Sequence, residues 1–207
     1  MRTVHFFATY YEQEQEAPTL INSLMRQTAD NWKLTICSNA DNTLMNVQER
    51  YHTDPRIHYT ILEENTGFWG AKNRRDFYQS VDLDTMVVMT SVEDYYVPRT
   101  VEYINSRGED FIYWDFTHHH FDYKTTFAIS QPRMKKIDWG NFAILSDKAK
   151  EVNISELKNR NAEDPQKFDI IDGWEQFMGD GIFVEEVFKK FPEISNVRIP
   201  KILFAKN

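Results

Sequence analysis

Along the first half of the chain, apolar and polar positions repeat one unit: a short run of β-formers, a polar break, then an amphipathic helix. Residues 4–10 are the first such run, and residues 18–27 follow with Leu20, Ile21, Leu24 and Met25 at helical spacing. Residues 32–38 predict a second strand, 43–52 a helix, 56–62 a third strand, 70–80 a helix and 85–90 a fourth strand. Strands alternating with helical connections imply a parallel sheet with helices on both faces, whose ligands sit outside the carboxyl ends of the strands. Beyond Ser106 the pattern changes to β-rich segments at 111–115, 124–129 and 141–145, which add mixed strands to the sheet. Residues 153–173, rich in Asn, Asp, Lys and Glu with weak apolar periodicity, read as a long surface excursion or lid. A helix over 181–191 and a strand over 199–204 close the pattern. The expected architecture is a single α/β domain with a mostly parallel central sheet flanked by helices and a mixed, β-rich C-terminal half.

Composition narrows the function classes. A chain of 207 residues is long enough for one well-buried α/β domain and short for two. The net charge of -8 gives no general attraction to nucleic acid or to an anionic membrane, so a polyanionic partner would need a local basic groove. The single cysteine, Cys37, lies in an apolar run, where a buried thiol is expected, and it can form no disulfide within the chain. The apolar stretch at the N-terminus is too short for a signal segment and no later window reaches membrane-span length, so a soluble cytoplasmic protein is expected.

Candidate chemistry collects at the strand ends: Tyr10-Tyr11 after the first, Ser38-Asn39-Ala40-Asp41 after the second, residues 63–67 after the third and Ser91-Val92-Glu93-Asp94 after the fourth. Adjacent carboxylates at the end of a buried strand suit a hard divalent cation, which takes one or two carboxylates and fills its other positions with water and phosphate. The competing reading makes Glu93 and Asp94 a polar strand end leading into a helix near Pro98, with Asp94 as a turn or cap residue. His118-His119-His120 cannot present three imidazoles together, because neighbours on a strand face opposite ways; surface or acceptor-loop duty is expected. Trp69, Trp139 and Trp174 could stack on a sugar or base, with Trp139-Gly140-Asn141 the best placed. The compact basic groups are Lys72-Asn73-Arg74-Arg75 and Arg133-Met134-Lys135-Lys136.

Four phrases in order carry a family likeness. They are Leu24-Met25-Arg26-Gln27-Thr28 leading to Trp32, Ser38-Asn39, Asn65-Thr66-Gly67 followed by Ala71-Lys72-Asn73, and the acidic strand end closed by Pro98. Over about the first half of the chain this resembles the family-2 glycosyltransferases, enzymes of the GT-A (Rossmann-like) fold. The resemblance implies a nucleotide-sugar donor, expected to be a UDP-sugar, bound by residues 1–106, and an acceptor bound by residues 107–207. It implies that Thr9, Tyr10, Tyr11 and Asn39 frame the nucleoside, and that Asn65, Lys72, Ser91 and Val92 complete the donor site, with Lys72 near the diphosphate. Glu93 and Asp94 are implied as ligands of manganese or magnesium. Ser91 stands where the family has its first acid, and Glu93 carries one methylene more than the usual aspartate.

The family places its catalytic base on an acid before a late helix, which implies Asp180 here, with Asp172 and Glu175 in reserve; Asp180 also suits a helix N-cap. Some enzymes of the fold use a late histidine as a metal ligand, and no histidine follows His120. The implied reaction is an inverting, metal-assisted transfer to an acceptor hydroxyl. The chain ends without a basic amphipathic segment, so the expected acceptor is a soluble or polymer glycan of bacterial surface polysaccharide synthesis. Two alternatives are a phage-type enzyme sugaring hydroxymethylated bases in DNA and a degenerate, non-catalytic sugar-nucleotide-binding protein.

Overall fold

The β-forming run at the N-terminus becomes the strand β1 (Thr3–Tyr10). Val4, Phe6 and Ala8 enter the core on one face of the sheet and Phe7 enters the core on the other, as a two-residue period requires. The computed structural model describes residues 1–64, 71–118, 127–128, 130–133, 136–152 and 179–206. The helix α1 (Ala17–Met25) carries Pro18 in its first turn, where a fixed φ and a missing N–H cost nothing. It buries Leu20, Ile21 and Leu24 against the sheet.

The alternation then runs through β2 (Trp32–Ser38), α2 (Leu44–Tyr51), β3 (Ile57–Ile61), α3 (Ala71–Ser80) and β4 (Thr85–Ser91). In β4, Met86 and Val88 face the α1 side, while Val87 and Met89 face the side covered by α3. Each such side chain, fully removed from water, contributes about 1.5–3 kcal/mol. Two short elements follow, β5 (Tyr95–Tyr96) and α4 (Thr100–Asn105). The Gln27 side chain ties α1 to this region, donating to the Val97 carbonyl at 2.8 Å and accepting from Val101 N at 3.0 Å.

The second half supplies β6 (Phe111–His118), β7 (Phe127–Ala128), a 3-10 turn (Trp139–Asn141), β8 (Phe142–Leu145), α5 (Ser146–Lys150), α6 (Gly179–Lys190) and β9 (Asn196–Lys206). Among the described residues the sheet has nine strands, in the order β3-β2-β1-β4-β8-β6-β9-β5, with β7 on β6. The strands β3, β2, β1 and β4 are parallel. β8 then runs antiparallel to both β4 and β6, and β9 runs parallel to β6. The crossover from β3 to β4 passes over β2 and β1, which puts the topological switch, and so the ligand crevice, at the carboxyl ends of β1 and β4.

The expected parallel half with a mixed continuation is what forms. The final strand is longer than the predicted 199–204, because two register irregularities opposite Trp114, Asp115 and Phe116 absorb Pro200. A proline cannot donate to a ladder but is accommodated at a bulge. The late helix is already formed at Gly179, two residues before the predicted start. The predicted excursion at 153–173 lies outside the described residues, as does most of the predicted strand at 124–129.

Candidate active site

Three strand ends build one wall of the crevice. Beyond β1, Glu12 takes a positive φ of 52° and Ala40, beyond β2, one of 62°, so both strands turn sharply at their ends. Asp41 locks the two turns together: its carboxylate accepts from Glu12 N at 2.5 Å, from Thr43 N at 2.9 Å and from the Thr43 hydroxyl at 2.7 Å. Burial works against its charge, but these hydrogen bonds outweigh it and hold the carboxyl below the usual range. Asn39 N donates to the Tyr10 carbonyl at 3.2 Å, keeping Asn39 beside the end of β1.

The residues expected to frame a nucleoside separate into two kinds. Tyr10 is 1% exposed, packs in the core and bonds the Thr43 hydroxyl at 2.7 Å, so it supports the turn from beneath. Tyr11, 52% exposed, and Asn39, half-buried, are the groups that face outward.

Beyond β4 the acid loop closes on itself. The Oδ2 of Asp94 accepts from the Thr90 hydroxyl and from Ser91 N, both at 2.8 Å, while Oδ1 is buried with no hydrogen-bond partner among the described residues. Asp94 is only 2% exposed, and that burial, together with the charge of Asp138, pushes its carboxyl up to about 7. Glu93 sits nearer the surface and accepts from Gln13 Nε2 at 2.8 Å, which links the loop beyond β1 to the acid loop. Val92 is fully buried in the core, so any part it takes in binding runs through its backbone.

The opposite wall comes from the second half of the chain. Asp138 caps the 3-10 turn: its Oδ1 accepts from Gly140 N at 3.1 Å, and Asn141 Oδ1 accepts from Asp138 N at 2.7 Å. Its Oδ2 accepts from the ammonium of Lys206, the last residue of β9. Asp180 lies in the first turn of α6, where its Oδ1 accepts from Gly181 N at 2.6 Å. Burial pushes the Asp180 carboxyl up to about 7 and the charge of Asp138 adds to this, against the pull of the Gly181 N–H, Lys206 and Arg74.

Arg74, on α3, joins the two walls. Its Nη2 donates to the Thr9 hydroxyl at 3.3 Å, and its guanidinium lies 5.6 Å from the centre of the Trp139 ring. Burial lowers its pKa, and the charges of Tyr78, Asp138, Asp180 and Asp94 oppose that. Trp139 in turn packs on Phe183 of α6 at 5.3 Å between ring centres. Lys72, expected near a diphosphate, pairs with Asp76 at 2.8 Å on the exposed side of α3. Arg74, Phe77, Tyr78 and Val81 share the i, i+3, i+4, i+7 stripe that faces the sheet, and this spacing marks Arg74 as the inward cation.

The sequence reading also missed Asp138 and Lys206. The pattern Asp138-x-x-Asn141 is a capping signal that would have pointed to the first; only strand register reveals the second. Asn65, Trp69, His119, His120, Asp172, Trp174 and Glu175 lie outside the described residues, and His118 is described only as the end of β6. Among the described residues no three His, Cys, Asp or Glu side chains form a group able to hold a metal ion. Among them, too, no helix is long and apolar enough to cross a membrane.

No family model matches the sequence, and no curated protein matches it. Solved structures do. Residues 1–349 of S. aureus TarS superpose with a TM-score of 0.70 at 14% identity, covering 99% of this chain and 60% of that one. The same TarS segment in complex with UDP-GlcNAc gives a TM-score of 0.70 at 14% identity, covering 98% of this chain and 58% of that one. The mannosyltransferase PcManGT from Pyrobaculum calidifontis, in complex with GDP-Man and Mn2+, gives 0.59 at 12% identity, covering 100% of this chain and 57% of that one. The chain thus spans about 60% of the TarS segment it matches. With its acid-ended fourth strand at the switch between β1 and β4, the chain has the GT-A-type fold of the glycosyltransferases.

Proposed function

We propose that the protein is a nucleotide-sugar-dependent glycosyltransferase that moves a sugar, with inversion, from a UDP-sugar to an acceptor hydroxyl. The observation that carries this reading is the gathering of Asp94, Asp138 and Asp180 with Arg74 and Lys206 over the carboxyl ends of β1 and β4. The neighbours solved with UDP-GlcNAc and GDP-Man support the donor class, and the family resemblance of the first half supports the reaction. Tyr11 and Asn39 hold the nucleoside at the rim. Arg74, half-buried beside Trp139 and anchored on Thr9, presents a fixed positive charge to the diphosphate. Asp180 accepts the proton of the acceptor hydroxyl as its oxygen attacks the anomeric carbon, and the departing diphosphate leaves on the side of Arg74.

The acid loop fits a divalent cation. Asp94 keeps a buried carboxylate oxygen with no partner among the described residues, and Glu93 precedes it in the chain, which is a sufficient protein share for magnesium or manganese bound mainly through water and phosphate. When bound, the cation neutralises charge on the leaving diphosphate. Tethering of Glu93 by Gln13 orients the longer of the two acids. The acceptor we assign is a glycan hydroxyl of surface polysaccharide synthesis, with residues 107–207 forming its side of the crevice.

A thermal-shift panel of UDP, GDP and their sugar conjugates, with and without manganese, tests the reading, since a ligand that binds only the folded state raises its stability. The expected result is a manganese-enhanced shift with UDP and one or more UDP-sugars. A flat response to every nucleotide removes the donor site from the account.

A further inference from the structure

We propose that Lys206 is a donor-binding residue of this site, its ammonium receiving the diphosphate across the crevice from the acid loop. This rests on the donor reading above and adds a residue that neither the strand-end pattern nor the family likeness points to.

Strand geometry brings Lys206 there. The last residues of β9 pair with the end of β6 on one side, Phe204 with Phe116 and Lys206 with His118, and with β5 on the other, Phe204 with Tyr96 and Ala205 with Tyr95. Since β5 begins one residue after Asp94, this tail is hydrogen-bonded to the segment that continues the acid loop. Phe204 and Lys206 lie on one face of the strand. The ring of Phe204 packs against Gly140, and the ammonium two residues on meets the carboxylate of Asp138, two residues before that glycine.

The ammonium is held in place by Asp138 and stays charged. Burial disfavours its charge, yet the carboxylates of Asp138, Asp94 and Asp180 more than compensate and keep it protonated. Its side chain is 29% exposed, so solvent and solutes reach it. A lysine ammonium is a compact point charge with three donors on a flexible stem, suited to phosphate oxygens in more than one geometry. The charge balance calls for it. Among the described residues Arg74 and Lys206 are the cations set among the carboxyls of Asp94, Asp138 and Asp180, and loss of Lys206 leaves Arg74 to face them and the diphosphate. A diphosphate entering there brings further negative charge and gains from every fixed cation.

Calorimetric titration of UDP and of uridine, at one manganese concentration, into the wild type, Lys206→Ala and Lys206→Arg tests this, with GDP and guanosine as a parallel pair. The expected result is that Lys206→Ala weakens diphosphate binding by about tenfold or more, leaves nucleoside binding unchanged, and is largely rescued by Lys206→Arg. Equal UDP affinity in wild type and Lys206→Ala overturns the assignment. So does a parallel loss of UDP and uridine, which marks a structural prop for Asp138. A wild type that binds none of the nucleotides takes the donor reading down as well. Lys206→Met, which keeps the apolar stem, replaces the alanine variant if that variant is unfolded.

Discussion

Asp180 owes its near-neutral carboxyl to burial and to the charge of Asp138, and the N–H of Gly181 with Lys206 and Arg74 keeps it from rising further. A general base must be ionised to accept a proton, so turnover should climb with pH and level off above about 7. Asp180→Asn should lower kcat roughly 10²–10⁴-fold while UDP affinity stays within a factor of a few. Near-wild-type product formation by that variant would show that the proton goes elsewhere. Asp180 and Asp94 were legible as candidates because both follow a recognisable boundary, a late helix start and an apolar strand. Arg74 was obscured by its basic neighbours, although the stripe it shares with Phe77 and Tyr78 separates it from Lys72. Asp138 leaves a local capping signature with Asn141, but its meeting with Lys206, far along the chain, comes through non-local pairing that no local pattern encodes.

At the scale of elements, the 3-10 turn is the piece that fixes one wall of the crevice, and it depends on the absence of a side chain at Gly140. A Cβ there would lie 2.2 Å from Cζ of Phe204, a ring that is itself fully buried and packed on Tyr96. The ring cannot swing away into solvent, so Gly140→Ala should destabilise the fold by about 1–3 kcal/mol, the usual cost of overpacking. Chemical denaturation of the variant checks this; a midpoint equal to wild type would mean that the turn yields freely. The strands and helices of the first half were legible because each is long enough to show its period. The two-residue β5 and the short α5 are not, α4 was foreshadowed only by Pro98 in the reading of the acids as a strand end, and Pro200 made β9 look shorter than it is.

For the molecule as a whole, the buried titratable groups act in opposite senses. Burial, with the charges of Lys33 and His58, lowers His5 from 6.5 to about 4 despite Asp82. The unfolded chain therefore takes up this proton first, and stability falls as pH drops from 6.5 towards 4. Asp94 and Asp180 are raised from 3.8 to about 7, so their contribution is full below 3.8 and is lost as pH rises through 7. Thermal midpoints in chelator should thus rise as pH is lowered from 8 to 6.5. The gain should then be opposed on the acid side, and His5→Gln should relieve that opposition. A midpoint that falls steadily from pH 8 to 6.5 would contradict the assignment of the two aspartates. At this scale the parallel half was the most readable feature, since its order follows from strand–helix alternation. The sequence of strands beyond β4 follows from how buried faces match in three dimensions.

The irregularities in β9 also set a distance. From Trp114 with Ile199 to His118 with Lys206, β6 advances by four residues while β9 advances by seven. Three residues of β9 are therefore taken up as slack, which at strand rise draws the tail back by about 10 Å. Removing one residue of that slack would leave the ladder able to form, but it would move the end of the strand by about 3.3 Å and turn each side chain to the opposite face. The ammonium would then point away from Asp138, with the hydrogen bonds of the sheet intact. The length of the bulge is thus a setting on the site, one that chain-length variation can alter while every side chain of the crevice is kept.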